Sequence, residues 1–215
     1  MTYLELVNGV LTRMREDTVG TLASTDDPVV QIVMDHVNDA KRLVEDAHTW
    51  NALRTEWTFT TSDGVALYPL TDAGNYAIIE YIDGDDGSVL INRQLRDIKR
   101  LKSQGDDGSA CLYYAVNGQD ANRDVQLELY PTPSTQNVTY TVGGFARSGD
   151  LSADNDVVAV PSKPVLYFAL ANSLRERGEV GGQTASEIFA MASTYLSDAI
   201  ALDANNSHLD NIWYS

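Results

Sequence analysis

The 215-residue chain carries 15 Lys and Arg against 31 Asp and Glu, a net charge of −16 at neutral pH. Such a balance repels phosphate backbones and argues against gripping nucleic acid by counterion release, while it keeps a protein dispersed in solution. A hydrophobic fraction of 43% and a charged fraction of 21% suit one large globular domain or two modest ones. No run approaches the roughly 18 apolar residues of a membrane span, the mixed charges of Met1–Glu16 do not make a secretory signal, and a single cysteine, Cys111, excludes an intramolecular disulfide framework.

Thr2 and Glu5 match a capping box, in which side chain and backbone satisfy each other's free N–H groups. Leu4, Val7, Leu11 and Met14 then recur on one helical face, widened by Leu6 and Val10. Residues 17–27 read as a loop. Asp27-Pro28 places an N-cap before a proline at the first helical position, where its missing N–H is harmless. Val30, Val33, Val37, Ala40, Val44 and Ala47 follow as one apolar seam, on a helix expected to reach Trp50 or beyond. Asp35, Asn38, Asp39, Arg42 and Asp46 are expected on its solvent face.

The period then shortens to two. Trp57 and Phe59 alternate with Thr58 and Thr60, and Ser62-Asp63-Gly64 supplies a turn before Val65–Leu70. Further strands are expected over Tyr76–Ile82, Ser88–Ile91, Cys111–Val116, Val125–Tyr130 and Val138–Phe145, with a last edge strand at Val157–Val160. The Cys111 and Val125 strands are joined through an Asn117-Gly118 turn region, and Leu95, Ile98 and Leu101 suggest a brief helix. Pro131-Thr132-Pro133 stops one strand at an extended corner. Gly-Asp-Asp-Gly-Ser occurs twice, at 84–88 and 105–109. Neither copy has the ligand offsets of an EF-hand, so both read as acidic turns.

Helical spacing returns after Pro161 and Pro164, with Val165, Phe168, Ala171 and Leu174 recurring every three residues and Gly178 ending the run. Thr184 and Glu187 suggest a second capping box, followed by a stripe of Ile188, Met191, Tyr195, Ala199 and Leu202. The order is two helices, a β-rich insert, then two helices. We therefore expect an α+β fold in which residues 1–55 and 161–205 form one discontinuous helical bundle, because each amphipathic helix needs a partner. Residues 56–160 form an inserted antiparallel β-rich domain with its own core, and residues 206–215 a polar tail ending Ile212-Trp213-Tyr214.

A search for chemistry finds little. His36 and His48 lie on one helix but point about a third of a turn apart, and His208 stands alone. No HExxH, Cys-x-x-Cys, Walker loop or nucleophile elbow is present. Cys111 has no neighbouring base and reads as a small buried hydrophobe, and the Asn137 and Asn205 sequons read as chance matches. The expectation is no catalytic residue, no cofactor and no metal.

Several segments together resemble the head-to-tail adaptor proteins of tailed bacteriophages, the family that includes tail tubular protein A of short-tailed phages. They are the run Thr2–Leu11 with Arg13 and Arg15, the stretch Val37–Ala47 followed by Trp50–Arg54, the strand–corner unit Leu127–Ser134, and Pro164–Gly178. One departure is His48, where the family pattern suggests an aromatic.

The resemblance implies a structural virion protein at the head–tail junction, made in the host cytoplasm and assembled as a dodecameric ring between the portal and the tail or nozzle protein. Such a ring continues the DNA channel without binding DNA specifically and touches no membrane. A lumen lined by carboxylates would keep passing DNA from sticking, and closure needs heterologous interfaces, to which the sides of the Pro28–Asn51 helix are expected to contribute. Ile212, Trp213 and Tyr214 are candidates for portal contact. Two other classes stay open: a carbohydrate- or peptide-binding module with Trp57, Tyr68 and Tyr81 as stacking platforms, and an enzyme with a pocket of perturbed carboxylates.

Overall fold

The computed structural model describes residues 1–23, 25–74, 76–105, 110–134, 137–178 and 183–207. The first half holds α1 (Tyr3–Arg13), α2 (Pro28–Asp46), β1 (Arg54–Thr60), β2 (Leu67–Pro69), β3 (Ile78–Gly84), β4 (Ile91–Asn92) and α3 (Leu95–Ser103). Then come β5 (Tyr113–Gln119), β6 (Val125–Tyr130), β7 (Thr139–Phe145), α4 (Ser162–Glu176) and α5 (Gln183–Ser207). The fold is α+β. The chain divides into two compact units, one made of Met1–Leu53 with the chain from Ser148 on, the other of Arg54–Arg147.

In the helical unit, the Thr2–Glu5 capping box is formed, and Tyr3, Leu6, Val7, Val10 and Leu11 are buried beneath it. Asp27 caps α2 through Val29 N at 2.8 Å, and Val33, Val37, Ala40 and Val44 are fully buried. The helix stops at Asp46, short of the expected Trp50. The Val44 carbonyl, left open at the helix end, accepts from Ala47 N and from the Trp50 indole Nε1 at 2.7 Å, so the chain turns back and buries the ring. Ala47, expected on the seam, is exposed.

α4 packs on α1, α2 and α5. Its buried residues, among them Val165, Leu166, Phe168, Leu170 and Leu174, lie on several sides, as a central helix requires. The residues 148–160, assigned to the β insert from sequence, pack here instead. Leu151, Val158 and Val160 join the helical core, and Val157 makes a single β-bridge to Thr2 rather than an edge strand. Asn38, expected on the solvent face of α2, clamps this segment: its amide oxygen accepts from Leu151 N at 2.9 Å and its nitrogen donates to Leu151 O at 3.1 Å.

Lys41 and Glu45 are buried one helical turn apart. Nζ of Lys41 lies 3.0 Å from Oε1 of Glu45 and donates to Ser148 O at 2.9 Å, while Ser148 Oγ donates to Glu45 at 2.6 Å. A buried ion pair whose spare groups are hydrogen-bonded tolerates its desolvation, and removing one member leaves the other stranded.

The β unit contains two sheets with strand orders β1-β7-β3 and β2-β6-β5-β4, antiparallel except for the parallel pair β4–β5. β1 and β2, separated by the Ser62–Gly64 turn, therefore belong to different sheets. Trp57, Phe59, Ile82, Val142, Leu127 and Leu129 share one core, where Phe59 stacks on Tyr68 and Tyr140 at 5.0 and 5.4 Å. α3 covers the other face of β5 and β6 through Ile98, Ala115 and Tyr130. Burial on both faces explains the almost unbroken buried run of β6.

One turn expected from sequence fails in this unit. Asn117-Gly118 does not turn the chain; it lies within β5 at a register shift between Val116 and Gln119, and the turn falls at residues 120–124. The Gly143-Gly144 pair proves to be a packing requirement. A Cβ on Gly144 would sit 2.1 Å from the Ile78 carbonyl oxygen, and one on Gly143 would strike the Tyr81 ring at 2.1 Å. The first Gly-Asp-Asp-Gly-Ser copy is a tight turn, with Gly87 at φ +82°; most of the second lies outside the described residues.

Candidate docking surfaces

The residues that sequence singled out for chemistry do not converge. His36 Nε2 lies 3.0 Å from Glu176 and its Nδ1 2.9 Å from Ser173 Oγ, which ties α2 to α4. His48 Nε2 lies 3.3 Å from Asp203, and its ring meets Trp50 edge-on at 5.1 Å. His48 thus belongs to the junction with α5, where Asp203 also accepts from Asn51 N at 3.1 Å. His208 lies outside the described residues. Among the described residues no three His, Cys, Asp or Glu side chains come together as metal ligands.

Cys111 is buried, with Sγ 3.4 Å from the Pro131 carbonyl, and burial pushes its thiol up to about 11. It therefore stays protonated and unreactive at neutral pH. Among the described residues, four carboxyls are held below the usual range, each by local donors. Asp150 is held by the Arg42 guanidinium, Asp86 by Ser88, Asp154 by Thr21 and Leu22 N, and Asp156 by the N–H groups of Ala153 and Ser152. These are loop-fastening contacts.

The stacking-platform reading fails on burial for Trp57 and Tyr68. Trp57 and Tyr68 lie in the β core, and the Tyr68 hydroxyl is occupied by the Ser62 and Val65 backbone. Tyr81 donates to Glu56 at 2.9 Å. Its ring is half-buried and lies close over Gly143.

Among the described residues, several open hollows lie within the units. One of about 210 Å³ is lined by Met14, Val29, Ile32, Val33 and the end of α4. A second, of about 400 Å³, lies between Trp50, Val160, Pro161 and the outer turns of α5. There Leu202 is 69% exposed. This corrects the expected face of α5: Ala185 and Ala192 are buried with Ile188, Leu196 and Ile200 against the core, whereas Met191 and Leu202 stand outward. The helix begins at Gln183, so Thr184 is already inside it and not a cap.

A third hollow, of about 340 Å³, is in the β unit between α3, β5 and β6 and is lined by Arg93, Arg100, Leu112, Tyr113 and Tyr130. Sequence reading missed its character, although the signal was present: five of the 15 Lys and Arg fall between Arg93 and Lys102. The proposed contact residues Ile212, Trp213 and Tyr214 lie outside the described residues.

The fold is thus α+β in two compact units, with open hollows inside each of them. The chain belongs to the SU10 adaptor protein family, whose model matches residues 1–210. It is thus a bacteriophage adaptor, a structural class of protein. No curated protein matches the chain.

Proposed function

We propose that twelve copies of this chain close into a ring at the head–tail junction of the virion, joining the portal to the tail or nozzle protein and continuing the DNA channel. The observation that carries this reading is the family match across residues 1–210. The hollows and outward apolar residues of the helical unit support it, because apolar surface of this kind marks protein contact. The net charge of −16 also supports it: carboxylates along a lumen repel the phosphate backbone over about 8 Å at physiological salt, so DNA slides without sticking. Ile212, Trp213 and Tyr214 dock on the portal in this scheme.

Size-exclusion chromatography of the purified chain with its cognate portal tests the proposal. Co-elution as one large species supports it, and elution as two independent proteins overturns it. Deleting residues 206–215 should weaken portal binding at least tenfold while leaving the circular dichroism spectrum intact; unchanged binding removes the role given to Ile212, Trp213 and Tyr214.

A further inference from the structure

We infer that the solvent face of α3 docks on the solvent face of α2 in a second copy of this chain, supplying the head-to-tail contact that closes the ring. The inference rests on the ring reading above and names the surfaces involved.

The segment Arg93–Lys102 holds five cations and one carboxylate, Asp97, a net +4 that leaves −20 on the rest of the molecule. Lys102 is spent inside the unit on Glu128, at 2.6 Å. Arg96, Lys99 and Arg100 are exposed on α3, Arg96 and Arg100 on the side opposite Ile98, and among the described residues Arg96 and Lys99 have no ion-pair partner. Arg100 lies 3.7 Å from Asp97, and Arg93 stacks over Tyr113 at 4.9 Å.

α2 offers the complement. Asp35 and Asp39 are exposed and one helical turn apart, the same separation as Arg96 and Arg100. Residues four apart on a helix lie about 6 Å from each other, so two carboxylates on one helix match two guanidiniums on another. Each charged pair is bordered by exposed aliphatics. Ile32 and Leu43 share a helical face with the carboxylates, while Leu112 lines the hollow with Arg93 and Arg100, and exposed Ile91 is hydrogen-bonded to Leu112 across the sheet. The hollow at Arg93, Leu112 and Tyr113 is large enough to take an aliphatic side chain such as Leu43. Those apolar borders favour a protein surface over a phosphate backbone, which has nothing to place on Ile91 or Leu112. The two faces differ, as a heterologous, ring-closing contact requires.

Sedimentation velocity of the full chain, alone and with the cognate portal, tests this with Arg96→Glu/Lys99→Glu/Arg100→Glu and with Asp35→Lys/Asp39→Lys. Each variant should remain monomeric at tenfold the concentration at which the parent forms rings, and an equimolar mixture of the two should form rings again with the copies alternating. A milder pair, Arg96→Gln/Arg100→Gln, should weaken assembly while keeping the parent's melting temperature, which separates interface loss from misfolding. Rings from either charge-reversed variant alone, or failure of the mixture to recover, overturn the pairing while the ring reading stands. A parent chain that stays monomeric both alone and with portal overturns the ring reading and this inference with it. Normal rings from the Arg96/Lys99/Arg100 variant, with lost retention of a 30-base-pair duplex, would assign α3 to nucleic acid and overturn the inference.

Discussion

The two units are held together by different kinds of interaction. The helical unit joins both ends of the chain through amphipathic stripes, and ion pairs are prominent among its polar fastenings: Lys41 with Glu45, Arg42 with Asp150, Arg177 with Glu16. The β unit depends on close backbone approach and stacked rings, with Gly144 against Ile78 and Phe59 between Tyr68 and Tyr140. Their titrating groups differ accordingly. Three of the four depressed carboxyls, Asp150, Asp154 and Asp156, are in the helical unit. The β unit holds Cys111, Tyr68, Tyr81 and Tyr140, all raised. Acid should therefore weigh more on the helical unit and alkali more on the β unit.

The comparison can be broken most severely from inside each unit. Glu45→Ala strands the Lys41 ammonium in the helical core and should destabilise that unit by about 4 kcal/mol. Hydrogen exchange should then quicken in α2 and α4. Gly144→Ala forces a methyl onto the Ile78 carbonyl and should remove about 3 kcal/mol, with faster exchange confined to β1, β3 and β7. If either substitution accelerates exchange equally in both sets of elements, the separate accounts of the two cores are wrong.

The pH contrast is a gentler test. A carboxyl whose folded value is depressed stabilises the fold above its unfolded value of about 4, and that contribution is lost as pH falls through the folded value. Falling pH below about 4 should therefore loosen the helical unit first, less so in Asp150→Asn. A thiol or phenol whose folded value is raised stabilises the fold below its unfolded value, and the contribution is lost as pH climbs toward the folded one. Above about pH 9 the β unit should loosen first, and Cys111, held at about 11, should resist alkylation at pH 8 until the unit unfolds. Tyr3, pushed up to about 12 mainly by burial, adds a late alkaline loss in the helical unit. The smallest effect is expected from Thr2→Ala, which removes one half of the capping box and should lower stability by about 1 kcal/mol by thermal melting.

What sequence revealed follows the same division. α1 and α2 could be read from Thr2, Asp27 and Pro28 because caps and stripes are local signals. The end of α2 was misjudged because it depends on Trp50 folding back six residues onto Val44, and Asn38 because its partner, Leu151, is 113 residues away. In the β unit single strands were visible but their pairing was not. β1 pairs with β7, and the bulged Asn117-Gly118 carries the same residues as a hairpin turn. Little of the docking surface was legible. The α3 hollow brings Arg93 and Arg100 beside Tyr130, and no periodicity encodes that meeting. The cluster of cations in an acidic chain was the one available clue.

The central claim is that this chain functions by assembling with copies of itself. Native mass spectrometry of the full chain bound to its cognate portal measures that directly: the account predicts a species carrying twelve adaptor copies. Single adaptor chains on the portal, or no adaptor retained on it, would contradict the account.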